Sequence, residues 1–283
     1  MTSRILITGG TGTLGRHLTP MLLASGADVR VLSRAGRDAD DRSRAFRGDL
    51  DTGEGVEAAV AGVDTIVHCA GTAKGDDAKT ATLVRAVHGV RTLGDALPHL
   101  VYISVVGAER IPVVSRMDRM SFGYFASKRA AELVVEGSGL PWTTLRATQF
   151  HDLALTTVQG LAKSPVMPYF SGVRFQPVET AEVARRLGDL TLAAPAGLVD
   201  ELGGPEVLEM RELARTYLAA VGRRRLLVPL PVGGRSGNAV RAGANLTPGH
   251  ADGHHTWADF LAERVGGSAD ARVPAAPSAG PAR

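Results

Sequence analysis

The sequence predicts an α/β protein built on a doubly wound parallel sheet, with a smaller C-terminal lobe. Two observations lead to this prediction: short aliphatic runs alternate with helix-like segments over about the first 150 residues, and the first run ends in a glycine-rich turn. Strands that alternate with helices of this length are typical of a parallel sheet covered on both faces. A chain of 283 residues, 44% hydrophobic and 22% charged, fits one large domain that carries such a lobe.

The first half of the chain supplies the predicted core sheet. Ile5, Leu6 and Ile7 form a short aliphatic strand, and the leucines that follow the glycine turn recur at helical spacing. The same order of strand and helix then repeats. Predicted strands cover residues 4–8, 29–32, 46–50, 64–70, 100–106 and 142–146, and predicted helices cover 14–22, 56–61, 78–97 and 124–136.

The regular alternation loosens after Ala147. Helices are predicted at 179–192, 210–221 and 254–264, with brief strands at 198–199 and 226–228. We therefore expect a core domain over residues 1–150 and a C-terminal lobe over 151–265, whose strands either stay in the lobe or return to the core sheet. Residues 266–283 have almost no apolar side chains to bury, which predicts a disordered tail.

Composition argues against several classes of protein. Lysine and arginine number 32 against 29 acidic residues, so the charge balance gives no reason to expect a nucleic-acid partner. Cys69 is the single cysteine, which excludes an internal disulfide and a cysteine-based metal cluster, and no metal site is implied. Because the chain has neither a signal-peptide run nor an apolar stretch of about 18 residues, we expect a cytoplasmic protein without a membrane segment.

The turn after the first strand carries the strongest motif. It consists of Thr8, Gly9, Gly10, Thr11, Gly12, Thr13, Leu14 and Gly15. Glycines at this spacing allow a tight turn, a close approach of the backbone to a pyrophosphate, and close packing of helix on strand. The phosphates would bind at the helix N-terminus, where free N–H groups and the helix dipole favour an anion. The motif therefore predicts a Rossmann-type dinucleotide site.

The end of the second strand indicates which dinucleotide is preferred. An NAD site has a carboxylate there for the ribose 2′-hydroxyl, whereas this chain has Ser33 and Arg34, with Arg37 close behind. A guanidinium at this place can pair with a 2′-phosphate. We therefore expect NADP(H) to be preferred over NAD(H).

Tyr124 and Lys128 are candidates for the chemistry. Their four-residue spacing puts the phenol and the ammonium on one face of a helix. An ammonium beside a phenol lowers the phenol pKa, so that Tyr124 could act as a general acid toward a carbonyl oxygen. Ser104, at the end of the fifth strand, could donate a hydrogen bond to the same oxygen.

Together these segments resemble the short-chain dehydrogenase/reductase superfamily, in particular its NmrA-like NAD(P)-binding branch. The resemblance rests on the glycine turn and on residues 64–71, 101–107, 124–132 and 145–150. It implies that Asp49 and Leu50 contact adenine and that Lys128 holds the nicotinamide ribose. It also implies that the ribose side of the cofactor is lined by Cys69, Ala70 and Gly71, and that the nicotinamide is flanked by Ala147, Thr148, Gln149 and Phe150.

The sequence thus predicts an NADPH-dependent oxidoreductase that transfers hydride to a carbonyl, quinone or enone compound. The substrate is expected to be apolar or aromatic, because its candidate lining is mainly apolar: Val105, Gln149, Phe150, Tyr169 and Phe170. Ser104 and Tyr124 lie 20 residues apart, a spacing that differs from better-studied branches. A non-enzymatic NADP(H)-binding redox sensor therefore stays open as the alternative, and the chain is expected to be a monomer or a homodimer.

Overall fold

Seven parallel strands form the central sheet. The computed structural model describes residues 2–36, 40–71, 75–92, 94 and 96–266. The strands lie in the order β3 (Arg44–Arg47), β2 (Asp28–Ser33), β1 (Arg4–Thr8), β4 (Thr65–His68), β5 (His99–Val105), β6 (Trp142–Ala147) and β9 (Gly197–Leu198). The strand order reverses between β1 and β4, which is where open α/β sheets bind ligands. The predicted doubly wound parallel sheet is confirmed.

Helices cover both faces of this sheet because the central strands are apolar on both sides. Ile5, Leu6 and Ile7 in β1 are fully buried. Ile5 and Ile7 pack toward α1 (Gly15–Ala24) and α6 (Thr180–Leu192), and Leu6 packs toward the opposite layer. That layer consists of α2 (Val56–Val60), α3 (Asp76–Gly89) and α4 (Arg116–Glu136). Burial on both faces explains why the core strands are continuous aliphatic runs in the sequence.

A smaller lobe has its own apolar core. Met167, Trp257 and Phe260 are almost fully buried at its centre. Its elements are α5 (His151–Leu161), β7 (Val166–Ser171), β8 (Arg174–Phe175), β10 (Leu208–Glu209), α7 (Met210–Ala220), β11 (Leu226–Pro231), α8 (Gly234–Arg241) and α9 (Trp257–Leu261). Two elements from the same half of the chain, α6 and β9, instead belong to the large sheet and its covering layer. No described helix combines the length and apolar character that crossing a bilayer requires.

A buried glutamine joins the lobe to the core. The Gln176 side-chain nitrogen donates to the carbonyls of Gly204 at 2.9 Å and Thr247 at 3.2 Å, and its oxygen accepts from the Thr247 N–H at 2.8 Å. Its own carbonyl accepts from the Thr148 hydroxyl at the end of β6. Because the whole side chain is buried, these bonds fix the lobe against the ends of the core strands.

Several predicted boundaries were wrong. Helix α4 begins at Arg116 rather than 124, because Ser115 and Asp118 form a capping box two turns earlier. Helix α3 ends at Gly89 rather than 97, at a residue that disfavours helix. Strand β3 ends at Arg47 rather than 50, where Gly48 packs against Leu32. Of the predicted tail, only Gly266 lies within the described residues.

Candidate active site

The glycine turn after β1 leaves no room for side chains. Gly9 has a φ of +73°, and a Cβ placed on it would lie 2.8 Å from the Ala70 nitrogen. A Cβ on Gly10 would lie 2.8 Å from Val31 in β2, and one on Gly15 would collide with the Gly9 carbonyl. The turn therefore brings bare backbone to the strand switch point, as binding of a diphosphate requires.

The N-terminus of α1 points its free N–H groups at the same place. The helix begins at Gly15 after Leu14, has no side-chain cap bond, and has no acidic residue in its first turn. The Leu14 side chain is buried in the core, so Leu14 offers only main-chain groups. With Gly12 and Thr13 completing the turn, this end of α1 fits the diphosphate of a dinucleotide.

A buried hydrogen-bond network orders the neighbouring ends of β1 and β4. The Thr8 hydroxyl lies 2.7 Å from His68 Nδ1 and accepts from the Ala70 N–H at 3.2 Å. The other ring nitrogen of His68 lies 3.1 Å from the Thr80 hydroxyl of α3. Burial, helped by the charge of Lys128, lowers the pKa of His68 to about 3, so the ring is neutral. Thr8 and Ala70 thus have fixed positions beside the glycine turn.

Cys69 and Gly71 continue this edge of the sheet. The Cys69 N–H donates to the Thr8 carbonyl at 3.1 Å, and burial raises the pKa of its thiol to about 12. The protonated thiol packs as a small apolar group. Gly71 is exposed, and a Cβ added there would lie 2.9 Å from Lys128 Nζ. A surface glycine therefore covers the Lys128 ammonium.

Lys128 is a buried ammonium held from three sides. Its Nζ lies 3.1 Å from an Asp76 carboxylate oxygen and donates to the Tyr102 hydroxyl at 3.3 Å and the Ile103 carbonyl at 3.1 Å. Burial works against the charge, but Tyr102, Tyr124 and Asp76 outweigh it and raise the pKa of Lys128. The ammonium is therefore charged at every pH at which the protein would be used.

Tyr124 lies one helical turn before Lys128 on α4. Its side chain is 37% exposed, and its ring meets the edge of Phe125 with centroids 5.8 Å apart. The hydrogen bonds of Lys128 in the described structure go to other groups, and Tyr124 is one of the groups that raise the pKa of Lys128. An exposed phenol near a fixed positive charge is suited to give a proton to a bound molecule.

Ser104 lies close to Glu132. Its side chain is buried on the sheet face under α4. Burial would raise the pKa of the Glu132 carboxyl, but hydrogen bonds from Arg146 and Arg129 outweigh it and lower that pKa. Glu132 lies eight residues after Tyr124, a rise of about 12 Å along the helix. The geometry therefore gives Ser104 a structural neighbour, and its catalytic role stays a prediction.

Most of the residues expected to contact the adenosine part of the cofactor lie within the part of the chain that the structure describes. Ser33 and Arg34 lie at the end of β2, Arg34 is exposed, and Arg37 lies outside the described residues. The Asp49 carboxylate accepts from the Asp51 N–H at 2.9 Å, which fixes the loop after β3. The Leu50 side chain belongs to the apolar core. Leu50 can therefore offer a cofactor only its main chain.

The residues expected around the nicotinamide and substrate fall into two groups. Val105, Ala147, Thr148 and Gln149 are buried at the ends of β5 and β6. Gln149 donates to the Asn245 carbonyl of the lobe at 3.4 Å, and Phe150 is paired with Val178. Tyr169 and Phe170 lie in β7, and no hydrogen bond or ring contact among the described residues joins them to Gln149 or Phe150.

The sequence analysis missed Asp76 and Tyr102, the two side chains that hold Lys128. Asp76 begins α3, where its N–H donates to the Ser127 hydroxyl at 3.2 Å, so α3 and α4 meet at the Ser127-Lys128 pair. The helix dipole already explains an acidic residue at the start of a helix. Asp76 was therefore not recognised from the sequence as a residue of the site. Among the described residues, no group of three or more His, Cys, Asp or Glu is arranged to hold a metal ion.

Comparisons with known proteins find relatives that are named as reductases. The (4-alkanoyl-5-oxo-2,5-dihydrofuran-3-yl)methyl phosphate reductase of Streptomyces griseus is 26% identical over 226 residues, covering 77% of this chain and 74% of the relative. The ceramide reductase of Caulobacter vibrioides is 29% identical over 267 residues, covering 86% and 79%. Three mycobacterial relatives are each matched over only 24% of their length.

The fold is also found among solved structures. The Escherichia coli NADPH-dependent quinone oxidoreductase QOR2, complexed with NADPH, superposes with a TM-score of 0.72 at 16% identity, over 92% of this chain and 99% of that chain. The sequence pattern of the NAD(P)H-binding family matches residues 9–185, from the glycine turn to α6. The predicted NAD(P)-binding fold is thus confirmed, and the NmrA-like resemblance is consistent with it. The chain belongs to the NAD(P)H-binding family.

Proposed function

We propose that the protein is an NADPH-dependent reductase that transfers hydride to a carbonyl, quinone or enone carbon of a small apolar or aromatic molecule. The observation that carries the proposal is the position of Lys128, whose ammonium is buried beneath Gly71 at the ligand-binding edge, one turn from Tyr124. Burying a charge is costly, and such groups cluster where a protein uses them.

Different residues of the chain would bind the cofactor and transfer the proton. The glycine turn and the α1 N-terminus would hold the diphosphate, and Lys128 would hold the ribose hydroxyls. When bound, NADPH supplies the hydride. Tyr124 gives its phenolic proton to the acceptor oxygen, and the Lys128 charge stabilises the phenolate that is left.

The preference for NADPH over NADH rests on Arg34. This exposed guanidinium follows Ser33 at the place where an NAD-binding site has a carboxylate. The solved QOR2 neighbour is described with NADPH, which supports the same preference.

The substrate class rests on the predicted lining and on the relatives. Val105, Phe150, Tyr169 and Phe170 would supply apolar surface, and Gln149 a polar anchor. The relatives are named as reductases of a dihydrofuranyl methyl phosphate and of ceramide, and the solved neighbour as a quinone oxidoreductase. These names favour a reducible group attached to an apolar body.

Replacing Tyr124 with Phe tests the proposal. NADPH oxidation is followed with a panel of quinones, ketones and enones, and NADPH binding is measured by calorimetry. Loss of the proton donor should lower kcat by about 10²–10⁴-fold while NADPH binding stays nearly unchanged. Tyr217→Phe, which removes a hydroxyl from the lobe core, is the matched control and should turn over normally. Wild-type turnover by Tyr124→Phe would remove Tyr124 from the mechanism.

A redox sensor without turnover is the second candidate. It is favoured by the position of Ser104, whose hydroxyl lies beside Glu132 instead of beside the phenol. A sensor would bind both NADPH and NADP⁺, would not oxidise NADPH with any acceptor, and would capture a protein partner with only one of the two forms. The panel assay and a pull-down with each cofactor form separate it from the reductase.

A further inference from the structure

Arg47 ends β3 beside the end of β2. The two strands are parallel, and Arg47 is paired in register with Ser33. Neighbouring strands lie about 4.8 Å apart, and residues paired in register project on the same side of the sheet. The Arg47 side chain is exposed. Its backbone lies next to that of Ser33, the residue that precedes Arg34.

The turn that carries Arg34 is folded against Arg47. The Ser33 carbonyl accepts from the N–H groups of Gly36 at 3.1 Å and Gly48 at 3.2 Å, which closes the loop after β2 onto the end of β3. A Cβ placed on Gly36 would lie 3.2 Å from the Cβ of Arg47. The two arginines therefore flank one small turn at the carboxyl edge of the sheet.

Arg34 and Arg47 differ from the neighbouring arginines in their charge pairing. Arg42 pairs with Asp40, Arg44 pairs with Asp28, and Arg30 donates to the Ala59 and Ala61 carbonyls. Arg34 and Arg47 have no carboxylate partner among the residues that the structure describes. Two uncompensated guanidinium groups on adjacent strand ends create a local positive potential.

We propose that Arg47 is a second guanidinium for the 2′-phosphate of the cofactor and acts with Arg34. The inference rests on the proposed preference for NADPH. A phosphate monoester carries a charge of about −1.5 to −2 at neutral pH and offers three acceptor oxygens, so one guanidinium does not neutralise it. Arg34 approaches from the turn and Arg47 from the end of β3, and each can donate two hydrogen bonds.

The test uses two adenosine probes and the full-length protein. Adenosine 2′,5′-bisphosphate and adenosine 5′-monophosphate differ only in the 2′-phosphate, and their Kd values are measured by calorimetry. Arg47→Gln should weaken binding of the bisphosphate by about 10- to 100-fold and leave the monophosphate within about twofold. Arg47→Lys should lie in between, because it keeps the charge and loses the fork.

Arg44→Gln is the matched control, because it removes a guanidinium from the same strand that already has Asp28 as its partner. It should leave both Kd values unchanged. If Arg47→Gln weakens both probes equally, or neither, Arg47 does not read the 2′-phosphate. If the wild-type protein does not distinguish the two probes, the preference for NADPH fails and the role of Arg47 fails with it.

Discussion

Two buried ion pairs fasten α4 to the rest of the core, and they differ in how short the bonds of the cation are. Arg146 donates bidentately to Glu132 and to Glu109, with four bonds of 2.6 to 3.0 Å. Lys128 meets one carboxylate, one phenol and one carbonyl at 3.1 to 3.3 Å. Both cations are almost fully buried.

The surroundings of the two cations differ in the same sense. Arg146 is surrounded by its carboxylates, whereas Lys128 and Asp76 lie directly under exposed Gly71, where an added Cβ would lie 2.9 and 3.1 Å from their charged atoms. A cation held by four short bonds to two carboxylates stabilises the fold. Lys128 has longer bonds and lies beneath exposed backbone, at the edge of the sheet where a ligand would bind. It can therefore exchange contacts with the protein for contacts with the ligand.

The largest expected effect follows from removing Lys128. Lys128→Met should lower kcat by at least the 10²–10⁴-fold expected of Tyr124→Phe, and should also weaken NADPH binding, because one ammonium serves both tasks. It should also lower the free energy of unfolding by about 3–5 kcal/mol, because the buried Asp76 carboxylate loses its 3.1 Å contact with the Lys128 ammonium. Kinetics, calorimetry and urea unfolding measure the three quantities.

The double variant Lys128→Met/Asp76→Asn separates the two effects. Replacing both charges should restore most of the unfolding free energy, since the cost comes from burying the Asp76 carboxylate after its contact with Lys128 is lost. Turnover should stay lost. A double variant that recovered activity together with stability would show that Lys128 only supports the fold.

Arg146→Met should mainly damage stability. It leaves Glu132 buried and removes the link to Glu109, so we expect a loss of about 3–5 kcal/mol in urea unfolding. Because the Arg146 side chain bonds to Glu132 and Glu109 and to no residue expected to hold the cofactor, the surviving folded fraction should bind NADPH with unchanged Kd. Arg129→Ala serves as the control: Arg129 also pairs with Glu132, but it is 30% exposed and should cost less than about 1 kcal/mol.

A pH dependence set by His68, which stacks on Tyr102 close to Lys128, gives a smaller effect between pH 7 and 5. His68 has a folded pKa of about 3 against an ordinary value of 6.5, so below pH 6.5 only the unfolded chain takes up its proton. Stability should therefore fall by about 1.4 kcal/mol for each pH unit between 6.5 and 3. The lowered pKa of Glu132 acts only below its ordinary value of 4.5, where acid removes the stability that the ionised form contributes.

Urea unfolding of the wild type and of His68→Gln between pH 7 and 5 checks this dependence, in a range where Glu132 stays ionised. The variant should show a flatter slope, because it has no proton to take up on unfolding. Equal slopes would mean that His68 is protonated in the folded protein.

Strands and helices could be predicted from the sequence where their burial produces a local pattern of apolar residues. The core strands were found because both faces are covered and their sequences are continuously aliphatic. Strand β7 was missed because Pro168 interrupts it and Val166 and Phe170 are more than 40% exposed, as suits a small two-stranded sheet. Helix α8 was missed because its glycines and polar residues form a helix only when Ser236 bonds to the Pro112 carbonyl and Val240 is buried.

Three features could be predicted from the sequence alone, because each depends on residues close together in the chain: the glycine turn, the order of the core elements and the Tyr124/Lys128 spacing. The partners of the charged side chains, in contrast, depend on the tertiary structure. Asp76 meets Lys128 across 52 positions of sequence, and Ser33 meets Arg47 across a strand pair. Ser104 is turned toward Glu132 for the same reason: the register of β5 and β6 puts Ser104 beside Arg146, and Arg146 holds Glu132 there. Such contacts depend on strand register and helix packing, which no local pattern encodes.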